Sequence, residues 1–209
     1  MTKKDYTHIT LVVDRSGSMA GIRREAQGAI NAYLAEQAEL PGECSVTLVD
    51  FDTEHRVVYS GPIDDCGPYT LSPRGFTALN DAIGKSIIET GEYLAAKKEK
   101  DRPSKVLFVI VTDGGENASV EYQLRQVKEM IAKQEAAYQW QFVFLSSDLN
   151  AQQQAQGYGV GNSVVMAAGA SAYQGTMSVL SANTRAYRGA GGQSMPRMPE
   201  QVDADGNAQ

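Results

Sequence analysis

Five side chains have the types and spacing to gather oxygen atoms around a hard cation. Asp14-Arg-Ser-Gly-Ser18 places one carboxylate and two hydroxyls in a single loop, and Gly17 between the serines lets the backbone turn tightly. Thr77 adds a hydroxyl from Pro73-Arg-Gly-Phe-Thr-Ala-Leu79. Asp113 adds a second carboxylate from Val111-Thr-Asp-Gly-Gly115. Oxygen-only ligands suit Mg²⁺, which takes six in octahedral array and keeps some of its water. Taken singly, Ser16, Ser18 or Thr77 reads as a helix N-cap, and Asp113-Gly114 as a turn. All five in this order, each at the end of a predicted element, favour a metal site. The remaining reactive residues offer less. His8 and His55 are far apart and lack the company a zinc site needs. Cys44 and Cys66 form no Cys-x-x-Cys pair and have no histidine nearby. Gly157-Tyr-Gly-Val-Gly161 echoes a nucleotide loop but precedes a predicted strand instead of a helix. Asp203-Ala-Asp-Gly206 lacks the closing glutamate of a calcium loop.

The elements that must position the five are of two alternating kinds. Short apolar runs at 8–13, 46–51, 105–111, 140–145 and 163–166 read as strands buried on both faces of a parallel sheet. Arg56-Val-Val-Tyr59 follows the second run across Asp52-Thr-Glu-His55, so it reads as an antiparallel edge strand in a hairpin. Between the runs lie amphipathic stretches. Their apolar stripes are Ile22, Ala26, Ala29, Ile30, Tyr33 and Leu34, then Leu79, Ile83, Ile87 and Leu94. Leu124, Val127 and Ile131 form a third, and Tyr173, Thr176, Met177, Leu180 and Tyr187 a last one. These stripes are core. The expected fold is α/β: a doubly wound, Rossmann-like, mostly parallel six-stranded sheet with one antiparallel edge strand and helices on both faces. One domain is expected from residue 5 to 188, with 189–209, rich in glycine and polar residues, as a disordered tail. In such a sheet ligands collect beyond the carboxyl ends of the strands where the strand order reverses. If the first strand neighbours the 105–111 strand, Asp14 and Asp113 share that crevice.

Composition narrows the function classes. Of 209 residues, 42% are hydrophobic and 21% charged, ordinary proportions for a globular chain. A net charge of −6 argues against gripping nucleic acid or anionic membrane through the overall field. The longest apolar run, 106–111, is far too short to span a bilayer, and the first ten residues carry no apolar signal segment. Two cysteines make no disulfide framework. A cytoplasmic protein is expected.

The motif also carries a resemblance. Asp-x-Ser-x-Ser after a first apolar strand, a lone threonine before a helix, and Asp-Gly after a central strand are similar to the metal-ion-dependent adhesion site of von Willebrand factor type A domains. The likeness runs over residues 7–188 and is closest to small stand-alone intracellular members from bacteria and phages. It includes IRREAQGAINAYLAEQ, RGFTALNDAIG, VTDGGENAS and the late run at 144–151. Gly115 departs from it, standing where similar proteins often have an acidic residue. The resemblance implies that Ser16, Ser18 and Thr77 bind Mg²⁺ or Mn²⁺ directly, with Ca²⁺ less favoured. It implies that Asp14 acts mostly through water and by hydrogen-bonding the serines, and Asp113 directly or through water. An open position on the ion would then take an Asp or Glu from a partner protein. Arg15, Arg74, Gly75, Phe76, Glu116 and Asn117 would frame that contact. Family analogy further suggests an AAA+ ATPase or a stress-response component as partner. A non-catalytic binding module, adaptor or subunit, is the leading expectation. A Mg²⁺-dependent phosphohydrolase is the alternative, but the chain has no Walker lysine loop, no Asp-x-Asp pair in the metal loops and no histidine there to act as base. A structural or assembly protein, with the metal as a staple of the fold, is the third reading.

Overall fold

The structure is a computed structural model that describes residues 2–147, 151–167, 169–189 and 194–209. Its strands are β1 (Lys3–Asp14), β2 (Glu43–Phe51), β3 (His55–Pro62), β4 (Pro103–Thr112), β5 (Gln141–Ser146), β6 (Ser163–Met166) and β7 (Gln201–Val202). Its helices are α1 (Arg23–Ala38), α2 (Leu79–Ala95), α3 (Leu124–Tyr138), α4 (Ala151–Tyr158) and α5 (Ala170–Arg188). The strand order is β3-β2-β1-β4-β5-β6-β7. Among the described strand pairs only β2–β3 is antiparallel, with Phe51 opposite His55, so the hairpin and the antiparallel edge expected from the sequence are both present. Of the late run at 144–151, residues 148–150 lie outside the described residues.

The apolar runs are continuous because both faces of the sheet are covered. Successive strand side chains point to opposite faces, so one run feeds two cores. Ile9, Leu11, Val13, Leu107, Val109 and Val111 pack under α1 and α5, against Ala26, Ile30, Tyr33, Tyr173, Met177 and Leu180. Val12, Val49, Phe108, Ile110 and Phe144 pack on the other face, against Leu79, Ile83 and Ile87 of α2, Val127 and Ile131 of α3, and Tyr158 of α4. Each such side chain contributes about 1.5–3 kcal/mol relative to exposure. Two cores back to back therefore hold the strand ends, and the loops on them, in fixed relative positions.

The sheet has seven strands, one more than expected, and the tail supplies the extra one. β7 pairs in parallel with β6 from within the segment expected to be disordered. Met195, Met198 and Val202, the three tail residues able to bury apolar surface, are all buried. The tail also packs closely on α5: a Cβ added at Gly175 would meet the Gly206 carbonyl oxygen at 2.2 Å. Three spaced apolar residues and a contact between glycines leave no apolar run or period to read, so composition alone suggests disorder.

β1 lies between β2 and β4. The chain leaves β1 for β2 on one side and later returns to β4 on the other, so the order reverses at β1 and β4. Asp14 ends β1 and Thr112 ends β4. Among the described residues no helix is long and apolar enough to cross a membrane.

Candidate metal centre

The structure brings the loops after β1 and β4 and the loop before α2 to one place. Asp14 is fully buried, and its carboxylate is held on both oxygens. Ser16 N–H donates to Oδ1 at 2.6 Å, and the Thr112 hydroxyl donates to Oδ2 at 2.6 Å. Ser16 Oγ and Ser18 Oγ lie 2.9 Å apart. Ser18 Oγ donates to Asp113 Oδ1 at 2.6 Å. Thr77 closes the group from the third loop: a Cβ added at Gly114 would lie 3.6 Å from both Ser18 Oγ and Thr77 Oγ1. Gly114 therefore lies against both hydroxyls.

The capping reading does not absorb these hydroxyls. Ser16 precedes the short 3₁₀ turn at Gly17–Ile22, yet its side chain makes no cap hydrogen bond. The N-cap position of α2 belongs to Ala78, one residue after Thr77. Thr77 is buried, and its backbone is fixed by Asn117: Asn117 Oδ1 accepts from Thr77 N at 2.9 Å, and Asn117 N donates to Thr77 O at 3.0 Å.

The electrostatics are those of a site lacking a positive charge. Among the described residues no Lys, Arg or His pairs with Asp14 or Asp113. Burial pushes the Asp14 carboxyl up to about 6; hydrogen bonds from Thr112 and Ser16 oppose the rise, and the Asp113 charge adds to it. Burial also raises Asp113, against the pull of its Ser18 hydrogen bond. Near them the Tyr173 hydroxyl of α5 is buried, and among the described residues it has no hydrogen-bond partner. A cation among these oxygens would offset the cost of burying two carboxylates near each other. The donor set fits a hard ion: two carboxylates, three hydroxyls, no nitrogen and no sulfur. Among the described residues no group of three or more His, Cys, Asp or Glu could hold a metal, so any ion here depends on the hydroxyls.

The residues expected to frame a partner play two parts. Phe76 is 68% exposed beside Thr77. Arg15 points inward, only 5% exposed, with Nε 3.3 Å from Asp50 and a terminal nitrogen 3.3 Å from Asp52. Its Nε makes an ionic contact and no aligned hydrogen bond. Arg74 donates from Nε to Asp52 at 2.7 Å and pairs with Glu54. Glu116 accepts from the Ala118 and Ser119 amides at 2.9 and 2.7 Å and from Asn80 N at 2.7 Å, which ties its loop to the start of α2. Arg15, Arg74, Glu116 and Asn117 thus help to build the loops, while Arg74, Gly75, Phe76 and Asn117 are exposed.

Two contributors went unread in the sequence. Thr112 was visible only as the residue before Asp113, yet it holds Asp14. Asp52 lay in the hairpin connection, and nothing local marks it as a partner of Arg15 and Arg74. Of the remaining reactive residues, His8 is buried in β1, His55 hydrogen-bonds Glu89 at 2.8 Å, and Cys44 and Cys66 are unpaired.

No protein-family profile and no curated protein matches the sequence. Solved structures do share the fold. The chain is similar to a von Willebrand factor type A protein from Catenulispora acidiphila at 12% identity and TM-score 0.61, over 88% of this chain and 43% of that one. It is similar to a variant of the PilB minor pilin from Streptococcus sanguinis at 13% identity and TM-score 0.62, over 86% and 61%. The pilus adhesin SpaC from Lactobacillus rhamnosus GG, in an open conformation, gives 14% identity and TM-score 0.61, over 86% and 30%. The chain spans less than two thirds of the length of each of these. At such identities the likeness shows the fold alone: the chain has the α/β architecture of von Willebrand factor type A domains.

Proposed function

We propose that this protein is a non-catalytic binding module that holds Mg²⁺ or Mn²⁺ at the ends of β1 and β4 and captures an Asp or Glu of a partner protein. The observation that carries the reading is the buried Asp14 carboxylate, grouped with Asp113 and the hydroxyls of Ser16, Ser18 and Thr77, with no basic residue among the described ones paired to either acid. In this reading Ser16, Ser18 and Thr77 contact the ion through their hydroxyls. Asp14 orients the 14–18 loop by accepting from Ser16 N and Thr112, and Asp113 orients Ser18. The ion supplies a Lewis-acidic position that keeps much of its positive charge, because three of its protein ligands are neutral. That position suits a carboxylate delivered from outside, and Phe76 offers an apolar contact beside it.

The non-catalytic part of the proposal rests on what surrounds the site. His8 hydrogen-bonds Ser45 and Thr10 inside the sheet, and His55 hydrogen-bonds Glu89. Both imidazoles are engaged away from the metal loops, so neither serves as a general base there.

The test is a calorimetric titration with Mg²⁺ and Mn²⁺. Saturable binding by the wild type, lost in Ser16→Ala/Asp113→Ala, is expected. A partner should then be retained on the immobilised protein with metal and released by EDTA. Metal-dependent phosphomonoester turnover that disappears in Asp14→Ala would replace the binding reading with an enzymatic one. A metal that raises the melting temperature while leaving capture unchanged would make the site a staple.

A further inference from the structure

We infer that Asp52 and Arg74 are positioning residues for Thr77, clamping its loop onto the 14–18 loop; the inference rests on the metal-binding reading of the same site. Thr77 lies outside any helix or strand, so the direction of its hydroxyl depends on what holds residues 73–78. Three contacts from that segment converge on Asp52, the first residue after β2. Arg74 Nε donates to Asp52 Oδ2 at 2.7 Å. Ala78 N donates to the Asp52 carbonyl oxygen at 2.9 Å. Gly75, at φ +69°, packs over the carboxylate: a Cβ there would lie 3.4 Å from Asp52 Cβ. The same Oδ2 lies 3.3 Å from the Arg15 guanidinium of the other loop. One buried carboxylate therefore holds a guanidinium from each of the two loops that carry hydroxyl ligands. The backbones meet as well, with Arg74 N donating to Arg15 O at 2.8 Å and Gly17 N to Gly75 O at 3.1 Å.

A neutral hydroxyl is a modest ligand, and its worth depends on being aimed before the ion arrives. Groups that orient a ligand typically matter 10- to 100-fold in metal affinity. The network contains its own control. Arg56 pairs with Asp50 through Nε at 2.8 Å and through a terminal nitrogen, but it joins β3 to β2 and, among the described residues, makes no hydrogen bond or ion pair to either loop.

The test compares wild type, Arg74→Gln, Arg56→Gln, Thr77→Val and Thr77→Val/Arg74→Gln by Mn²⁺ calorimetry and by amide exchange of the metal-free chain. Arg74 is half-exposed, so its variant should fold. Arg74→Gln is expected to weaken Mn²⁺ binding about tenfold and to speed exchange at the Thr77 and Ala78 amides, with Arg56→Gln changing neither. The double variant should bind no more weakly than Thr77→Val, because the clamp acts through that hydroxyl. Wild-type affinity in Arg74→Gln, or a loss that adds in full to that of Thr77→Val, overturns the inference and leaves the metal reading standing. A wild type that takes up no Mn²⁺ overturns both.

Discussion

Two buried acidic clusters sit side by side at the ends of β1 and β2, and they are closed in opposite ways. Asp50 and Asp52 are 0% and 1% exposed, and Arg15, Arg56 and Arg74 surround them. Asp14 is also 0% exposed, in the next strand, but among the described residues it and the partly buried Asp113 have only hydroxyls and amides as partners. A buried carboxylate closed by a guanidinium is complete as it stands, whereas one closed by neutral donors has its hydrogen bonds but not its countercharge. The first kind of cluster builds the loops. The second is the one proposed to take a cation.

If that contrast is right, removing an acid should have opposite signs in the two clusters. Asp50→Ala takes one of the two buried acids from Arg15 and the partner of Arg56, and should cost about 3–5 kcal/mol, read as a fall in the urea midpoint. Acid should act next most strongly, through a third buried group closed without charge. His8 is held by Ser45 at 2.7 Å and Thr10 at 3.3 Å, and burial, with Lys97 adding, lowers its pKa to about 3. The unfolded chain takes up that proton below its ordinary value near 6.5, and the folded chain does not. Stability is therefore full above that value and falls as pH drops, by about 3 kcal/mol at pH 4. The His8 ring resonances should hold their neutral positions between pH 7 and 4; an ordinary titration would mean that the cluster is open to water. Third, Asp14→Asn should stabilise the metal-free protein by about 1–2 kcal/mol, because the amide oxygen can still accept from Ser16 N and the amide NH2 can donate to the Thr112 hydroxyl, which turns its own proton to Gly114 O, while the uncompensated charge disappears. The same substitution should abolish any rise in melting temperature on adding Mg²⁺. A destabilised Asp14→Asn would collapse the contrast between the clusters. Smallest, Arg56→Gln should cost only about 1 kcal/mol or less in the same urea experiment. Its guanidinium is half-exposed and screened, and Arg15 remains beside Asp50.

The sequence by itself determined the elements and the donor set. Apolar runs too continuous for a one-sided sheet required helices on both faces, and the stripes on α1, α2, α3 and α5 supplied them. Asp14, Ser16, Ser18, Thr77 and Asp113 could be picked out because each stands at the boundary of an element, where spacing alone makes it conspicuous. Tertiary structure decided what those residues meet. Arg15 and Arg74 look like rim residues in the sequence, because an arginine in a loop reads as exposed. Both also hold Asp52, which is distant from them in the chain but lies between their loops once β2 docks on β1. The tail becomes a seventh strand because three apolar side chains find a surface on β6 and α5, and a lone segment has no such surface to display. Local pattern reports which face a residue prefers, but pairing of charges and docking of edges depend on neighbours far away in the chain, and only the folded chain supplies those.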